Sequence, residues 1–501
     1  MKCQRGIFIL VLVVSFLSCP NAFTAEESIP VKDQIPQQQK EKARPISLGE
    51  CVRFAVYNSF EVKIAKLDLL IAETDKMYEE SVFDTLIYGE VNYSEDKREQ
   101  ISVFAPDDNQ TNDYSLGITK ELLTGTELTA EWSDTRDWVN TPFVTRNPSH
   151  TAELLLEARQ PVGKNFFGYI DRNNLSVTKL AILNSDLQMK DSIEEIIADV
   201  EKAYWSLVFR KRSLGIRKDI LEKAIKLNET NSKNYDIGLI EMADYFASQA
   251  NVRIRETNYS LAQNAYRRAE ENLKLLMNMD DSIRLFPSEG FRRESVEYNL
   301  ANCLKTAFEK RRDYMMDKRD VEIKNITLKM KDNERWLEID ILGSMAMNGV
   351  DTKFSKAFGR TTIADNTYYY AGIEFSVPIE NNLALSEFKK ASYEKEEAIL
   401  TLKETERTII TEVGNSFRDV VTYATNVAKI TEAVDLQAKK LKEEEKRFKY
   451  GRSKTKTLID YQHDLLLTET EEALVLLDRE RSRVDLERDM NVILDKYERL
   501  L

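Results

Sequence analysis

The sequence predicts a mainly α-helical protein with a smaller β component, built from two internal repeats. Long coiled-coil helices are expected to form one barrel, and strands from several subunits are expected to share a transmembrane β-barrel. Only 16 Gly and 10 Pro occur among the 501 residues, so the chain has few loops. Apolar residues recur at every seventh position near the C-terminus, which indicates supercoiled helices. Shorter segments in both halves alternate apolar and polar residues, which indicates strands.

The composition excludes several classes of protein. Charged residues make up 31% and hydrophobic residues 42% of the chain, which disfavours a polytopic helical membrane protein. With 21 Tyr and 21 Phe, the chain has enough apolar surface to fold. The net charge of -13 disfavours nucleic acid as a partner. Only two His occur, with no Cys-x-x-Cys pair, phosphate loop or nucleophile triad, so we expect no enzyme, cofactor or metal site.

The N-terminus has the three-part plan of a secretory signal peptide, predicted over residues 1–25. Basic residues precede the apolar run 7–17, which is too short to span a bilayer. Two processing routes remain open: cleavage near residues 22–24, or a lipobox-like cleavage that would leave Cys19 acylated. No later segment is apolar enough for a membrane helix. Residues 26–46 are polar and are predicted as a flexible lead-in.

The first structural repeat is predicted over residues 47–285. A capping-box signature at Ser47 begins a helix that continues to about residue 82. The alternating pattern about 84–160 predicts strands. A long helical hairpin follows from about 171 to 279 and turns at Gly238.

The second structural repeat is predicted over residues 286–501 and has the same order. It begins with a helix around 295–332, and its strands lie at about 336–377. A second long helical hairpin spans about 384–499 and turns at Gly451. Both repeats therefore consist of a helix, strands and a helical hairpin.

The two halves align residue by residue, which supports the duplication. Cys51 matches Cys303 with an offset of 252, Pro161 matches Pro378 with an offset of 217, and Gly238 matches Gly451 with an offset of 213. The falling offset locates an insertion of about 35 residues in the first half. Residues 121–150 are the predicted insertion, an extra hairpin that either adds strands to the barrel or forms an external flap. The matched cysteines are interpreted as small core residues, with a disulfide between them as the alternative.

A heptad repeat runs through the second hairpin. Its seam is formed by residues seven positions apart: Val413, Val420, Val427, Val434, Leu441 and Phe448. A strict seven-residue repeat implies supercoiling against neighbouring helices. Residues 386–448 would extend ~95 Å as a helix, so these helices must pack side by side in a long bundle.

The alternating segments carry aromatic residues typical of membrane girdles, including Trp132, Trp138 and Trp336. A sheet exposed to lipid must close without a free edge. The smallest bacterial barrels have eight strands, whereas this chain offers four to six. Several copies of the chain are therefore expected to share one barrel.

The duplicated order of helix, strands, long helix, Gly turn and long helix resembles the outer-membrane efflux protein family, the TolC-like exit ducts. The resemblance covers about residues 47–499. Its motifs are Ser47-Leu48-Gly49-Glu50-Cys51, Gln160-Pro161-Val162, Val377-Pro378-Ile379, Tyr235-Asp236-Ile237-Gly238 and Phe448-Lys449-Tyr450-Gly451. Each motif is degenerate, and their order and duplication carry the resemblance.

The resemblance implies a homotrimer in the outer membrane of a Gram-negative-type cell, with a periplasmic helical tunnel. It also implies outer-membrane lipid, a periplasmic adaptor and an inner-membrane pump as partners in efflux or secretion. The alternatives are a periplasmic coiled-coil adaptor and a structural scaffold of an export complex. Adaptors have a single hairpin between small β domains, whereas two duplicated hairpins are predicted here.

The resemblance also assigns residues to a gate at the closed end of the tunnel. The family's acidic positions, six and nine residues past the second turn Gly, are Thr457 and Asp460 here, and Asp244 lies six past Gly238. The alternative for Asp460 is a solvated residue at a helix start. A gate Tyr of the family is replaced by Phe448 and retained as Tyr235. Arg452 is a further candidate for a gate contact.

Overall fold

The computed structural model describes residues 43–99, 101, 106–291, 298–363 and 365–497. The predicted signal peptide and Cys19 lie outside these ranges. The end of the predicted flexible lead-in is a strand, β1 (Ala43–Ile46), which pairs in parallel with β6 (Arg284–Pro287). This pairing orders the segment because Ile46 is fully buried and its carbonyl accepts a hydrogen bond from Ser288 N at 3.0 Å.

Helices dominate both halves of the described chain. The helices of the first half are α1 (Leu48–Asn58), α2 (Phe60–Glu80), α3 (Tyr169–Asp236) and α4 (Met242–Leu276). Those of the second half are α5 (Leu300–Lys310), α6 (Arg312–Asn333), α7 (Phe354–Thr361), α8 (Asn382–Lys449), α9 (Thr455–Asp489) and α10 (Ile493–Tyr497). The predicted capping box is confirmed: the Ser47 side chain accepts from Glu50 N, and the Glu50 carboxylate accepts from Ser47 N at 2.9 Å.

The long helices have matching lengths. Helices α3 and α8 contain 68 residues each, and α4 and α9 contain 35 each. At 1.5 Å per residue, the longer pair extends ~100 Å. Within α8 the predicted heptad seam is buried at Val413, Val420 and Leu441 and half-buried at the other three positions.

The remaining strands form one antiparallel sheet in the order β2-β3-β4-β5-β7-β8. Their bounds are β2 (Thr85–Asp96), β3 (Asn109–Glu121), β4 (Glu127–Val139), β5 (Ser149–Pro161), β7 (Glu338–Asp351) and β8 (Thr367–Ser376). Strand β4 pairs on both sides, so the predicted insertion 121–150 contributes to the sheet rather than to an external flap. The β3–β4 turn lies at Gly125, as expected, with φ +66°. The hairpin around it begins earlier than predicted because β3 forms its first arm.

The two predicted cysteine environments can now be distinguished. Cys51 and Cys303 are both free and buried, and they belong to separate apolar clusters. The alternative of a disulfide between them is therefore wrong. Burial raises the pKa of both thiols, so both are held as neutral, unreactive core groups. None of the helices in the described ranges is long and apolar enough to cross a bilayer.

Both helical hairpins turn through the same hydrogen-bond pattern. At the first turn, Leu239 N donates to Asn234 O at 2.7 Å, and Gly238 N donates to Tyr235 O at 2.9 Å. The second turn repeats these contacts from Arg452 N and Gly451 N, at 2.9 and 3.0 Å. These are Schellman motifs, which require a left-handed residue just past the helix. Gly238 and Gly451 supply it with φ of +74° and +68°.

A polar junction joins α3, α6, α8 and the end of α9. It surrounds a cavity of about 310 Å³. Arg312 pairs with Glu194 at 2.6 Å, and the Glu194 carboxylate also accepts from Ile493 N. Asp489 accepts a hydrogen bond from Ser416. Burial raises the pKa of both Glu194 and Asp489, with Arg312 and Ser416 only partly opposing it.

The turn glycines give the first prediction. Gly238→Ala forces a side chain into the left-handed region, which costs roughly 1–2 kcal/mol, so amide exchange around residues 230–245 should accelerate about five- to thirtyfold. Hydrogen–deuterium exchange measures this. Gly215→Ala in α3 is the matched control, because no atom lies within 4 Å of the added methyl there and its backbone is helical. Unchanged exchange in Gly238→Ala would contradict the role of the turn.

The junction gives a pH-dependent prediction. The pKa of Asp489 is higher in the folded protein than in the unfolded chain, so the folded protein binds this proton more tightly. The carboxyl therefore stabilises the fold at pH values below its ordinary pKa, and this contribution is lost as the pH rises through the pKa of the folded state. Asp489→Asn keeps an acceptor for Ser416 and removes this loss. Its melting midpoint relative to the unsubstituted protein, followed by circular dichroism, should therefore be higher at pH 7.5 than at pH 4. The exposed Glu432→Gln on α8 is the control, and a difference that does not change with pH would contradict the assignment.

Candidate functional site

One face of the six-stranded sheet is apolar across its whole width. The strand register aligns apolar residues in a row that crosses every strand: Ile87, Ile118, Ala130, Leu156, Met345 and Tyr369. Most of this face is open, since Ile87 is 69% and Ile373 71% exposed. An open apolar face of this size indicates contact with lipid or with another protein.

The opposite face of the sheet is polar. A row of hydrophilic residues crosses five strands at Glu90, Ser115, Ser133, Glu153 and Asn348. Neighbouring polar side chains on this face are hydrogen-bonded across strands, as in Tyr88 to Glu131 at 2.6 Å and Thr135 to Asp113 at 2.7 Å. The sheet therefore separates an apolar side from a hydrated side.

The sheet ends in two strands that each pair on one side. Within the described ranges, β2 pairs with β3 alone and β8 pairs with β7 alone. The outer edge of each strand presents backbone donors and acceptors. A sheet in this condition is a template for pairing with another strand.

The predicted gate and turn residues all lie at one end of the long helices. Leu227 of α3 packs with Leu441, Leu458 and Leu465 of the second hairpin, which brings the two turns together. Asn231 of α3 also donates to Thr455 Oγ1 at 3.2 Å. Asp460 and Arg452 are exposed, whereas Thr457 and Asp244 are half-buried.

The two aromatic positions before the turn glycines differ in their contacts. Phe448 packs against the leucine cluster at the hairpin end. Tyr235 instead stacks on Tyr245, with ring centroids 5.5 Å apart, and its hydroxyl makes no hydrogen bond in the described part of the chain. The second turn is thus anchored by apolar packing and the first by ring stacking.

A buried polar group near these turns had no counterpart in the sequence analysis. Asn231 is fully buried, and Arg255 of α4 is only 7% exposed. Burial and the nearby Arg217 lower the pKa of Arg255, and Asn251 Oδ1 accepts from its Nε at 3.2 Å. In the described ranges Arg255 has no carboxylate partner. Local sequence patterns do not signal these residues, because their burial comes from neighbouring helices: Arg255 lies among residues of α3 and α4, and Asn231 contacts Thr455 of the second hairpin.

Solved structures of outer-membrane channels share this fold. A CusC structure from work on transmembrane channel formation aligns at a TM-score of 0.69 and 12% identity, covering 93% of this chain and 98% of CusC. The CmeC outer-membrane channel of Campylobacter jejuni aligns at 0.67 and 12% identity, covering 96% and 97%. The open MtrE outer-membrane channel of Neisseria gonorrhoeae aligns at 0.64 and 14%, covering 88% of each chain.

No protein-family model and no curated protein sequence matches the chain. The likeness to solved structures nonetheless extends over nearly all of both chains. The resemblance inferred from the sequence motifs is thus confirmed at the level of architecture. The chain has the fold of outer-membrane channels.

Proposed function

We propose that this chain is one subunit of a homotrimeric outer-membrane channel that passes substrates outward in efflux or secretion. The observation that carries the proposal is the six-stranded sheet, which is apolar and open on one face, polar on the other, and unpaired at both edges. The shared fold with outer-membrane channels supports it. Those neighbours are channel proteins, which fits a role without catalysis.

The sheet supports a barrel completed by several copies. Six strands are fewer than the eight of the smallest bacterial barrels, so one copy does not close alone. Three copies give eighteen strands. At about 4.8 Å between strands and a tilt near 40°, eighteen strands close into a barrel about 36 Å across between backbones. The apolar face would contact lipid, and the polar face would line water.

The inserted hairpin β3–β4 determines this width. The second half of the chain contributes two strands and the first contributes four. Without the hairpin, a trimer would have twelve strands and a barrel about 24 Å across. The insertion therefore widens the outer-membrane pore by about half.

Two structural repeats, 47–285 and 286–501, account for the helical part. The long helices have equal lengths in the two repeats, and the break between α1 and α2 corresponds to the break between α5 and α6. Ser59 N donates to Ala55 O at the first break, and Arg311 N donates to Ala307 O at the second, both at 2.8 Å. The offset between these breaks is the 252 seen for the cysteines. Three copies of the four long helices would form a periplasmic tunnel. Its turns would meet a periplasmic adaptor and an inner-membrane pump.

The end of the tunnel is proposed to close at the hairpin turns. Asp460 is exposed on α9, so in a trimer three of its carboxylates would face one another or the pore. Carboxylate rings in a pore attract cations. Thr457 and Asp244, both half-buried, would flank this ring. Phe448 lacks the hydroxyl of the family's gate Tyr, so apolar packing takes over that position.

The first test of this function is cross-linking of sheet edges between copies. Glu90→Cys on β2 is combined with Cys at one polar-face position of β8, taken in turn from Tyr368, Tyr370, Gly372 and Glu374. Oxidation in isolated outer membranes should give covalent trimers for at least one pair, because opposed residues of adjacent strands are within disulfide reach. SDS gel electrophoresis measures the product.

A matched control for this cross-link lies one strand inward. Ser115 of β3 pairs directly with Glu90 in the strand register. Ser115→Cys, combined with the same β8 cysteines, should give no covalent trimer because β2 lies between it and the edge of the sheet. Recovery of the protein as a soluble periplasmic monomer would contradict the channel and favour the adaptor or scaffold alternative.

The second test addresses the gate. Asp460→Ala should raise single-channel conductance in planar bilayers and weaken cation selectivity, because it removes three carboxylates from the narrow end. Glu471→Gln, exposed on the same helix three turns further from the tip, should leave both unchanged. Equal conductance and selectivity in Asp460→Ala and the unsubstituted protein would exclude Asp460 from the gate.

A further inference from the structure

Helix α7 covers one end of the apolar sheet face and had no counterpart in the sequence analysis. Its Ala357 and Thr361 are buried against the sheet. Phe354 and Phe358 contact the Trp132 ring edge-on, with centroids 5.7 and 5.9 Å away. At Gly349 of β7 an added Cβ would lie 2.2 Å from the Ala357 carbonyl oxygen, so the helix needs a glycine beneath it.

The position of α7 follows from the strand it crosses. The apolar row of β7 runs through alternate residues from Ile339 to Met347, eight residue steps, or ~26 Å along the strand. The nine positions that this row spans match the roughly 9–11 residues of a tilted strand that spans a membrane. The next positions on the same face, Gly349 and Asp351, lie at α7. Helix α7 therefore sits at the edge of the apolar band that is distant from the long helices.

Three basic residues lie on this helix or at its start. Lys353, the N-cap, and Lys356 are exposed and form no ion pair within the described ranges, although Lys356 is close enough to Asp351 to interact with its carboxylate electrostatically. Arg360, in contrast, pairs with Asp351 at 3.2 Å and donates to Val350 O. A lysine on the lipid side of a barrel costs much free energy at the midplane of the bilayer and almost none at its interface. Two exposed lysines at this position are therefore consistent with a helix at the depth of the lipid headgroups.

Aromatic residues accompany these lysines. Phe354 is 46% and Phe358 44% exposed at the flanks of the helix, above Trp132. Exposed aromatic rings beside basic residues are typical of segments held at a membrane interface.

We propose that α7 is an interfacial helix whose Lys353 and Lys356 bind the phosphate groups of lipid A in the outer leaflet. This inference rests on the proposed function, since it requires the apolar face to lie in the outer membrane. The two lysines, three positions apart, offer one cation to each of the two phosphates of the lipid A headgroup. The half-exposed Phe rings would contact its acyl chains.

Native mass spectrometry of the purified full-length protein tests the proposal. Titration with synthetic diphosphoryl lipid A in neutral detergent gives the Kd of the bound lipid, with zwitterionic phosphatidylcholine, which has no net charge, as the comparison. The double variant Lys353→Gln/Lys356→Gln should raise the Kd about 25-fold, from about fivefold for each lysine. Lys353→Arg/Lys356→Arg should keep the Kd within about twofold, because the charge remains.

One control tests whether the effect comes from the total charge of the protein rather than from the lysines at α7. Lys66→Gln/Lys429→Gln removes two exposed lysines from the helices α2 and α8 and should leave the Kd unchanged. Equal Kd values for the glutamine double variant at α7 and the unsubstituted protein would overturn the proposal. A protein that conducts in bilayers without preferring lipid A to phosphatidylcholine overturns it and leaves the channel intact. A protein that neither inserts nor conducts overturns the proposed function.

Discussion

The edges of the sheet are the constraint on which the rest of the structure depends. About half of the backbone groups of β2 and of β8 point away from the sheet, with no partner in the described chain. In hydrocarbon each unsatisfied backbone group costs several kcal/mol, so such edges are tolerated only when another strand pairs with them. The same sheet is apolar on one open face. In the proposed channel, lipid would cover this face and strands of other copies would pair with the two edges.

The edge constraint also organises the helices. Strands β5 and β8 end just before the long helices α3 and α8, so these helices are attached at fixed positions along the sheet. The long helices bury their seams against each other, as Val413 and Val420 do within the chain. Their remaining faces carry charged residues together with exposed apolar ones, such as Leu400, Val421 and Leu436. In the proposed trimer, a closed ring of sheets would give a closed ring of helices with the same symmetry.

Much of the fold could be predicted from the sequence because its signals are periodic and long. The hairpins and their turn glycines lie within a few residues of the predicted positions, and the alternating strands share the faces that their pattern indicated. Strand β1 was missed because its four residues are ordered by a partner about 240 positions away. Helix α7 was missed because eight residues hold only a brief Phe354–Phe358 repeat. Whether Cys51 and Cys303 form a disulfide depended on how the helices pack, which the spacing of the cysteines in the sequence does not indicate.

The sequence located the proposed gate residues but did not reveal the buried charge near them. Asp460 and Asp244 could be placed at the hairpin ends from their distance to Gly451 and Gly238. The burial of Arg255 could not be predicted, since its environment comes from residues of α3 and α4 that only the folded hairpin brings together. In the proposed channel, the role of the two carboxylates would depend on other copies of the chain, whose arrangement a single sequence does not describe.

The equal lengths of the paired helices restrict how such a chain can change in evolution. One residue added to α3 would rotate everything beyond it by about 100° and move its turn by about 1.5 Å relative to that of α8. The leucine cluster that joins both turns would then be broken. Changes in helix length must therefore occur in whole heptads and in both hairpins together. The β3–β4 hairpin has no such counterpart in the other half, so the number of strands can change independently of helix length.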